Sequence, residues 1–161
     1  MENKVYYKIV NKNKFNNLNE TELARLKLRE MMEAIGLEFD ELEYSKNGKP
    51  YFKNKKYFFN YSHSKNYILI GISKTEIGVD IEEERNISDN ISKKYLNDVD
   101  KKNRLKYWVI KESYVKLIDK PELLYEDINI ANLKYNNKII INSNYIASIM
   151  YDGNERELVE L

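Results

Sequence analysis

An α+β fold is what this sequence predicts, on three observations. Residues 5–10 alternate like a strand and lead into a capped helical pattern. Short strand-like runs then follow one another across polar turns. A second helical stretch, 103–119, is again followed by strands. The order strand, helix, strands therefore occurs twice, and the chain reads as two similar α+β halves, 1–74 and 75–161.

The elements follow in order. After the first strand, the polar stretch 11–19 reads as a loop. Asn19 is placed to cap a helix, with Glu22 three residues on in capping-box position. Leu23, Leu26, Met31 and Ile35 keep a helical spacing, and Gly36 supplies the stop. Residues 42–44 and 51–52 flank Ser45-Lys46-Asn47-Gly48-Lys49, whose Asn-Gly pair marks a turn. Runs 57–61 and 67–72 are strand-like, with Ser62-His63-Ser64-Lys65-Asn66 as the loop between them. Residues 77–81 form another short strand and 88–96 a weak helix. The helix over 103–119 stops before Pro121 and carries a core stripe of Tyr107, Ile110, Tyr114 and Leu117. A meander of strands over 128–135, 138–141, 145–151 and 157–159 completes the chain, with turns at Asn136-Asn137 and Asp152-Gly153-Asn154.

Composition narrows the function classes. Of 161 residues, 42% are hydrophobic, enough for a sizeable core. Lys and Arg number 27 against 26 Asp and Glu, a balance that argues against a general nucleic-acid binder. There is no cysteine, which removes disulfides, thiol catalysis and cysteine metal sites. No secretory leader pattern opens the sequence, and no apolar run reaches membrane-spanning length, so a cytoplasmic protein is expected. P-loop, dinucleotide and zinc patterns are absent.

Three carboxylates carry the chemical argument. In Gly78-Val79-Asp80-Ile81-Glu82, Val79 and Ile81 can enter the core together, which leaves Asp80 and Glu82 side by side on the other face. Adjacent carboxylates repel unless exposed, protonated or neutralised by a cation, and Mg²⁺ suits such oxygen ligands. A solvated acidic strand end, extended by Glu83 and Glu84, fits the same residues. On the second helix, Glu112 and Lys116 are i, i+4 neighbours in line with Leu105 and Val109. They fit a metal ligand or base beside a phosphate contact, and equally an ordinary surface pair. His63 is the single histidine, and Lys49 follows the Asn-Gly turn. Spacing alone does not choose between site and surface for any of them.

The order of the motifs does more. Gly48-Lys49-Pro50, Asn60-Tyr61-Ser62-His63-Ser64, Gly78-Val79-Asp80-Ile81-Glu82 and Trp108-Val109-Ile110-Lys111-Glu112-Ser113-Tyr114-Val115-Lys116, in that sequence, resemble the 4′-phosphopantetheinyl transferase superfamily, surfactin-synthetase-activating type. Weaker similarity extends through the helix around Arg25 and Arg29. The resemblance implies a pseudo-dimer of two α+β halves with coenzyme A in the cleft between them. It implies Asp80, Glu82 and Glu112 as Mg²⁺ ligands, Glu112 as the base and Lys116 beside the pyrophosphate. Lys49, Ser62 and His63 match residues around the coenzyme A phosphates, and Arg25 a basic residue at the nucleotide end. The implied reaction is Mg²⁺-dependent transfer of 4′-phosphopantetheine to a serine of an apo-acyl or apo-peptidyl carrier protein, with release of adenosine 3′,5′-bisphosphate. A monomer is expected, since the two halves already supply both sides of the cleft, and neither nucleic acid nor membrane is an expected partner. The connection from Glu82 to Lys111 is short for the type, and Tyr95-Leu96-Asn97-Asp98 only loosely echoes the aromatic-then-glutamate pattern of the carrier-docking region. A homologue that binds coenzyme A or a carrier without transfer is the alternative.

Overall fold

A computed structural model describes residues 3–161. The first strand, β1 (Lys4–Asn11), runs into a single 3₁₀ turn and then α1 (Glu20–Ala34). Asn19 and Glu22 form the expected reciprocal capping box, and Gly36, at φ +71°, takes the left-handed position that ends the helix. β2 (Leu42–Tyr44) and β3 (Pro50–Phe52) make a small hairpin across the Asn-Gly turn, where Gly48 sits at φ +85°. β4 (Phe58–His63) and β5 (Tyr67–Ser73) are a second hairpin, and β6 (Ile77–Glu82) follows. α2 (Asp89–Tyr95) and α3 (Arg104–Leu117) precede β7 (Asn136–Ile141), β8 (Ile146–Tyr151) and β9 (Glu157–Glu160). The α+β class is as expected.

Two sheets hold the molecule. The first has the order β4-β5-β1-β9 and the second β6-β8-β7. Alternation along β5 sorts its side chains. Ile68, Ile70 and Ile72 face α1 and join Leu23, Ala24, Leu28, Met31 and Met32 in one core. Leu69, on the opposite face, joins Val5 and the residues Ile77, Val79, Ile81, Ala147, Ile149 and Tyr151 of the second sheet. The two sheets thus share a core, and α3 covers the far side of β6 and β8.

Several local expectations fail, each for a traceable reason. On α1, Leu26 is 41% exposed, and Ala24, Leu28 and Met32 are the covered positions instead. On α3 the stripe Tyr107, Ile110 and Tyr114 is only half-buried, while Trp108, Val109, Lys111, Ser113 and Val115 are covered. The helix is covered on two sides, by the second sheet and by a separate cluster of Ile87, Leu96, Trp108 and Ile130. Residues 128–135 form no strand. A 3₁₀ turn over Ile130–Asn132 replaces it, because the Asn97 side chain accepts from the Ile130 N–H and donates to the Ile128 carbonyl. Asn136-Asn137 lies inside β7, not in a turn. The last strand leaves the meander and pairs parallel with β1, from Lys4 opposite Glu157 to Tyr7 opposite Glu160. Ser62 and His63 belong to β4 and pair with Leu69 and Ile68, so they are strand and not loop residues.

One contact fixes how close α3 can approach. A Cβ at Gly78 would lie 2.0 Å from the Ser113 carbonyl oxygen and 2.4 Å from the Leu117 nitrogen. Only a residue without a side chain lets the helix backbone lie on the strand there. Gly78→Ala is expected to cost about 3 kcal/mol or more, since backbone and not a flexible side chain must move. Urea unfolding monitored by circular dichroism would show the lowered midpoint.

Candidate active site

Because α3 lies directly on β6, residues far apart in sequence meet. Strand alternation sends Val79 and Ile81 into the shared core and turns Asp80 and Glu82 toward the helix. Glu112 and Lys116 descend from α3 one turn apart. One carboxylate oxygen each from Asp80, Glu82 and Glu112 lies within 4.8 Å of the others. The Lys116 ammonium stands at 2.7 Å from Asp80 Oδ1 and 3.5 Å from Glu112 Oε2. It also donates to the Ser62 hydroxyl at 3.0 Å, and that hydroxyl donates to Asp80 Oδ1 at 2.8 Å.

The electrostatics follow from crowding. Asp80 is 3% exposed, and its second oxygen, Oδ2, is buried with no hydrogen-bond partner. Burial, then the negative charge of Asp80, pushes the Glu82 carboxyl up to about 7, against the pull of Arg85. Burial and Asp80 raise Glu112 as well, with Lys116 opposing. Burial pulls Lys116 down, but Asp80 and Glu112 outweigh it and the net shift is upward. Lys116 is shared by Asp80 and Glu112, Glu82 pairs with Arg85, and the orphaned buried oxygen of Asp80 can accept a further positive partner. An all-carboxylate donor set of this kind fits a hard divalent cation such as Mg²⁺.

A cleft of about 210 Å³ opens beside Lys116, lined by Gly48, Lys49, Asn60, Tyr61, Val115 and Pro121 among others. Lys49 binds Glu76 at 2.9 Å and the Leu117 carbonyl at 3.1 Å, so it borders the cleft at the C-terminus of α3. His63 and Arg25 lie outside the carboxylate cluster. His63 Nδ1 is 2.9 Å from Glu20 at the start of α1, and the exposed Arg25 donates to the Tyr44 hydroxyl. The structure therefore brings together Asp80, Glu82, Glu112, Lys116 and Ser62, sets Lys49 on the adjoining cleft, and leaves His63 and Arg25 at the surface.

Two residues were not anticipated. Asn60 accepts from the Val79 N–H at 2.9 Å, which ties β4 to the strand carrying Asp80. Lys111 is fully buried, and its ammonium donates to the carbonyls of Tyr95 and Glu126. Its position three residues after Trp108, on the same helical face, was the available signal. Burial lowers its pKa, with the nearby charges of Asp127 and Glu126 opposing.

Two outcomes are expected. Glu82 titrates near 7 when folded, against about 4.5 for an ordinary glutamate, so its contribution to stability is fully present below about 4.5 and lost as pH rises through about 7. The metal-free protein should melt higher at about pH 6 than at about pH 8, and Glu82→Gln should flatten that difference. Lys111→Met should lower unfolding free energy by about 3 kcal/mol, because two buried carbonyls lose their donor, as measured by denaturant titration.

No family model matches the chain. A 4′-phosphopantetheinyl transferase, gsp, of Aneurinibacillus migulanus is 26% identical over 154 residues, covering 86% of this chain and 60% of that protein. The chain thus spans about three-fifths of the length of that curated relative. Motif order and sequence similarity agree: this chain is related to the 4′-phosphopantetheinyl transferases.

Proposed function

We propose that the protein transfers the 4′-phosphopantetheine group of coenzyme A to a serine of an apo-acyl or apo-peptidyl carrier protein. The observation that carries this reading is the convergence of Asp80, Glu82 and Glu112 around Lys116, beside a cleft bordered by Lys49. The two helix-covered sheets support the pseudo-dimer arrangement, with coenzyme A between 1–74 and 75–161.

In the reaction, the carrier serine oxygen bonds to the β-phosphorus of coenzyme A, and the bond from that phosphorus to the bridging oxygen breaks. Adenosine 3′,5′-bisphosphate departs with the bridging electron pair. Such transfers gain from positioning and from neutralising phosphate charge. Asp80, Glu82 and Glu112 would hold Mg²⁺, which when bound supplies positive charge to the diphosphate oxygens. Lys116 adds a second positive charge, and Ser62 fixes the orientation of Asp80. Glu112 is the proposed acceptor of the serine proton, directly or through a water. Lys49, Ser62, His63 and Arg25 are the candidate contacts for the nucleotide and phosphates. A monomer acting in the cytoplasm is the proposed form. Among the described residues, no helix is long and apolar enough to cross a membrane.

The decisive experiment is incubation with coenzyme A, Mg²⁺ and a panel of apo-carrier proteins, followed by intact-mass analysis. One phosphopantetheine should be added to at least one carrier, and chelation should stop it. Asp80→Asn should lower kcat/KM by about 100-fold or more with the fold retained, as expected for loss of charge stabilisation at a transferring phosphoryl group. If Glu112→Gln turns over normally at saturating Mg²⁺, Glu112 is not the base.

A further inference from the structure

The Asn-Gly pair that turns the first hairpin carries a chemistry of its own. Asn47 is the one asparagine in the sequence followed by glycine. The backbone nitrogen of the next residue is the nearest nucleophile to an asparagine amide, and glycine has no Cβ to hinder its approach. Both residues are exposed, and a Cβ built on Gly48 would meet no atom within 4 Å. Lys46 and Lys49 flank the pair, and their positive charges favour loss of the Gly48 amide proton.

Two hydrogen bonds restrain the pair. The Gly48 N–H donates to the Ser45 carbonyl at 3.0 Å, and Asn47 Nδ2 donates to the Asp119 carbonyl at 2.7 Å. The second bond joins the hairpin tip to the chain just past α3, beside the contact of Lys49 with the Leu117 carbonyl. Among the described residues, β2 and β3 pair only with each other. A lone two-stranded hairpin is marginal in water without outside support, so contact with the end of α3 decides how often this tip opens.

We infer that Asn47-Gly48 is a site of spontaneous backbone modification, held in check by the seating of the hairpin tip on the end of α3. When the tip opens, the Gly48 nitrogen bonds to Asn47 Cγ and the Cγ–Nδ2 bond breaks. Ammonia departs with the bonding pair, and the Gly48 proton passes to it through solvent. Water then adds to either carbonyl of the five-membered imide. One opening leaves an ordinary aspartate, and the other leaves an isoaspartate with the main chain routed through the side chain. Water is the only co-reactant.

Either product replaces a neutral donor with a carboxylate. The Asp119 carbonyl loses its donor, and the cleft gains a negative charge on the wall that Asn47 shares with Lys49 and Lys116. Isoaspartate also inserts a main-chain carbon between Ser45 and Lys49, whose backbones are bonded across the turn at 2.9 Å, and so shifts the turn that aims Lys49 at Leu117. The modification itself is independent of the transferase reading. Only its consequence for coenzyme A rests on that reading.

The test incubates the full chain at mildly alkaline pH, folded and in urea, and follows it by mass spectrometry. A Glu-specific protease leaves residues 44–76 on one peptide, so Asn54 and Asn66, followed by Lys and Tyr, serve as internal controls. Asn47 should convert about tenfold faster than either control in urea, because only its neighbour lacks a side chain. Folding should slow Asn47 by about fivefold or more, since both restraining hydrogen bonds must open first. Asn47→Gln, which would have to close a larger ring, should stay unmodified over the same period. Conversion at Asn47 no faster than at the controls, or as fast in the folded chain as in urea, would overturn the inference. Binding of coenzyme A, read by titration calorimetry, should weaken by about fivefold or more in Asn47→Asp, as a carboxylate facing an anionic ligand requires. Equal affinity in Asn47→Asp would overturn the consequence for the cleft. If Asn47 converts as described while the unmodified chain binds no coenzyme A, this inference stands and the transferase reading falls.

Discussion

The active arrangement depends on the direct seating of α3 on β6. Strand residues of even number from Gly78 to Glu82 face the helix, and the first of them has no side chain. Gly78 lets the helix backbone at Ser113 and Leu117 come down onto the strand. The carboxylates at 80 and 82 then meet the two side chains that bracket that contact, Glu112 and Lys116. Further along the interface the seating is polar, with Ser113 Oγ 2.6 Å from Ser148 Oγ and the latter bonded to Asn137. Short hydroxyls keep the helix near the sheet where bulky apolar side chains would hold it away. This explains why the face of α3 over the sheet does not read as a hydrophobic stripe.

Electrostatics at this seam are costly by construction. Asp80 and Glu112 share one ammonium while Glu82 has Arg85, all in a partly dehydrated space, and both glutamates respond by holding protons more tightly. Such crowding opposes folding, and the core clusters on both sides have to offset it. Perturbed groups gathered beside a cleft are the usual mark of a chemical site. Here the second oxygen of Asp80 makes the case sharper, since a buried carboxylate acceptor without a donor is uncommon.

Much of this was legible in the sequence where a local rule governs. The capping box at Asn19 and Glu22, the Asn-Gly hairpin and the paired faces of β6 all follow from short-range chemistry. The convergence of Asp80 and Glu82 with Glu112 was reached through motif order, because helical spacing by itself equally fitted a surface pair. What escaped was set by distant partners. Asn97 satisfies the backbone at 128 and 130 and so removes an expected strand, an event no window around residue 130 contains. The return of β9 to β1 pairs residues over 150 positions apart. Lys111 reads as a surface lysine until α2 and the 3₁₀ turn over Pro121–Tyr125 close around it.

The site is assembled from several elements and owned by none of them. Ser62 comes from β4 of the first sheet, Asp80 and Glu82 from β6 of the second, Glu112 and Lys116 from α3. The first sheet is joined to this seam by a side chain, with Asn60 accepting the Val79 N–H, and by Ser62 reaching Asp80. A shift of β4 against β6 would therefore break the Ser62 contact and reorient Asp80 while leaving both sheets folded. Geometry at the seam is more fragile than the fold around it, and a site spanning such a seam can respond to whatever occupies the adjoining cleft. The parallel pairing of β9 with β1 works against that freedom. It carries the chain from the second sheet back to the first and limits how far the two can slide.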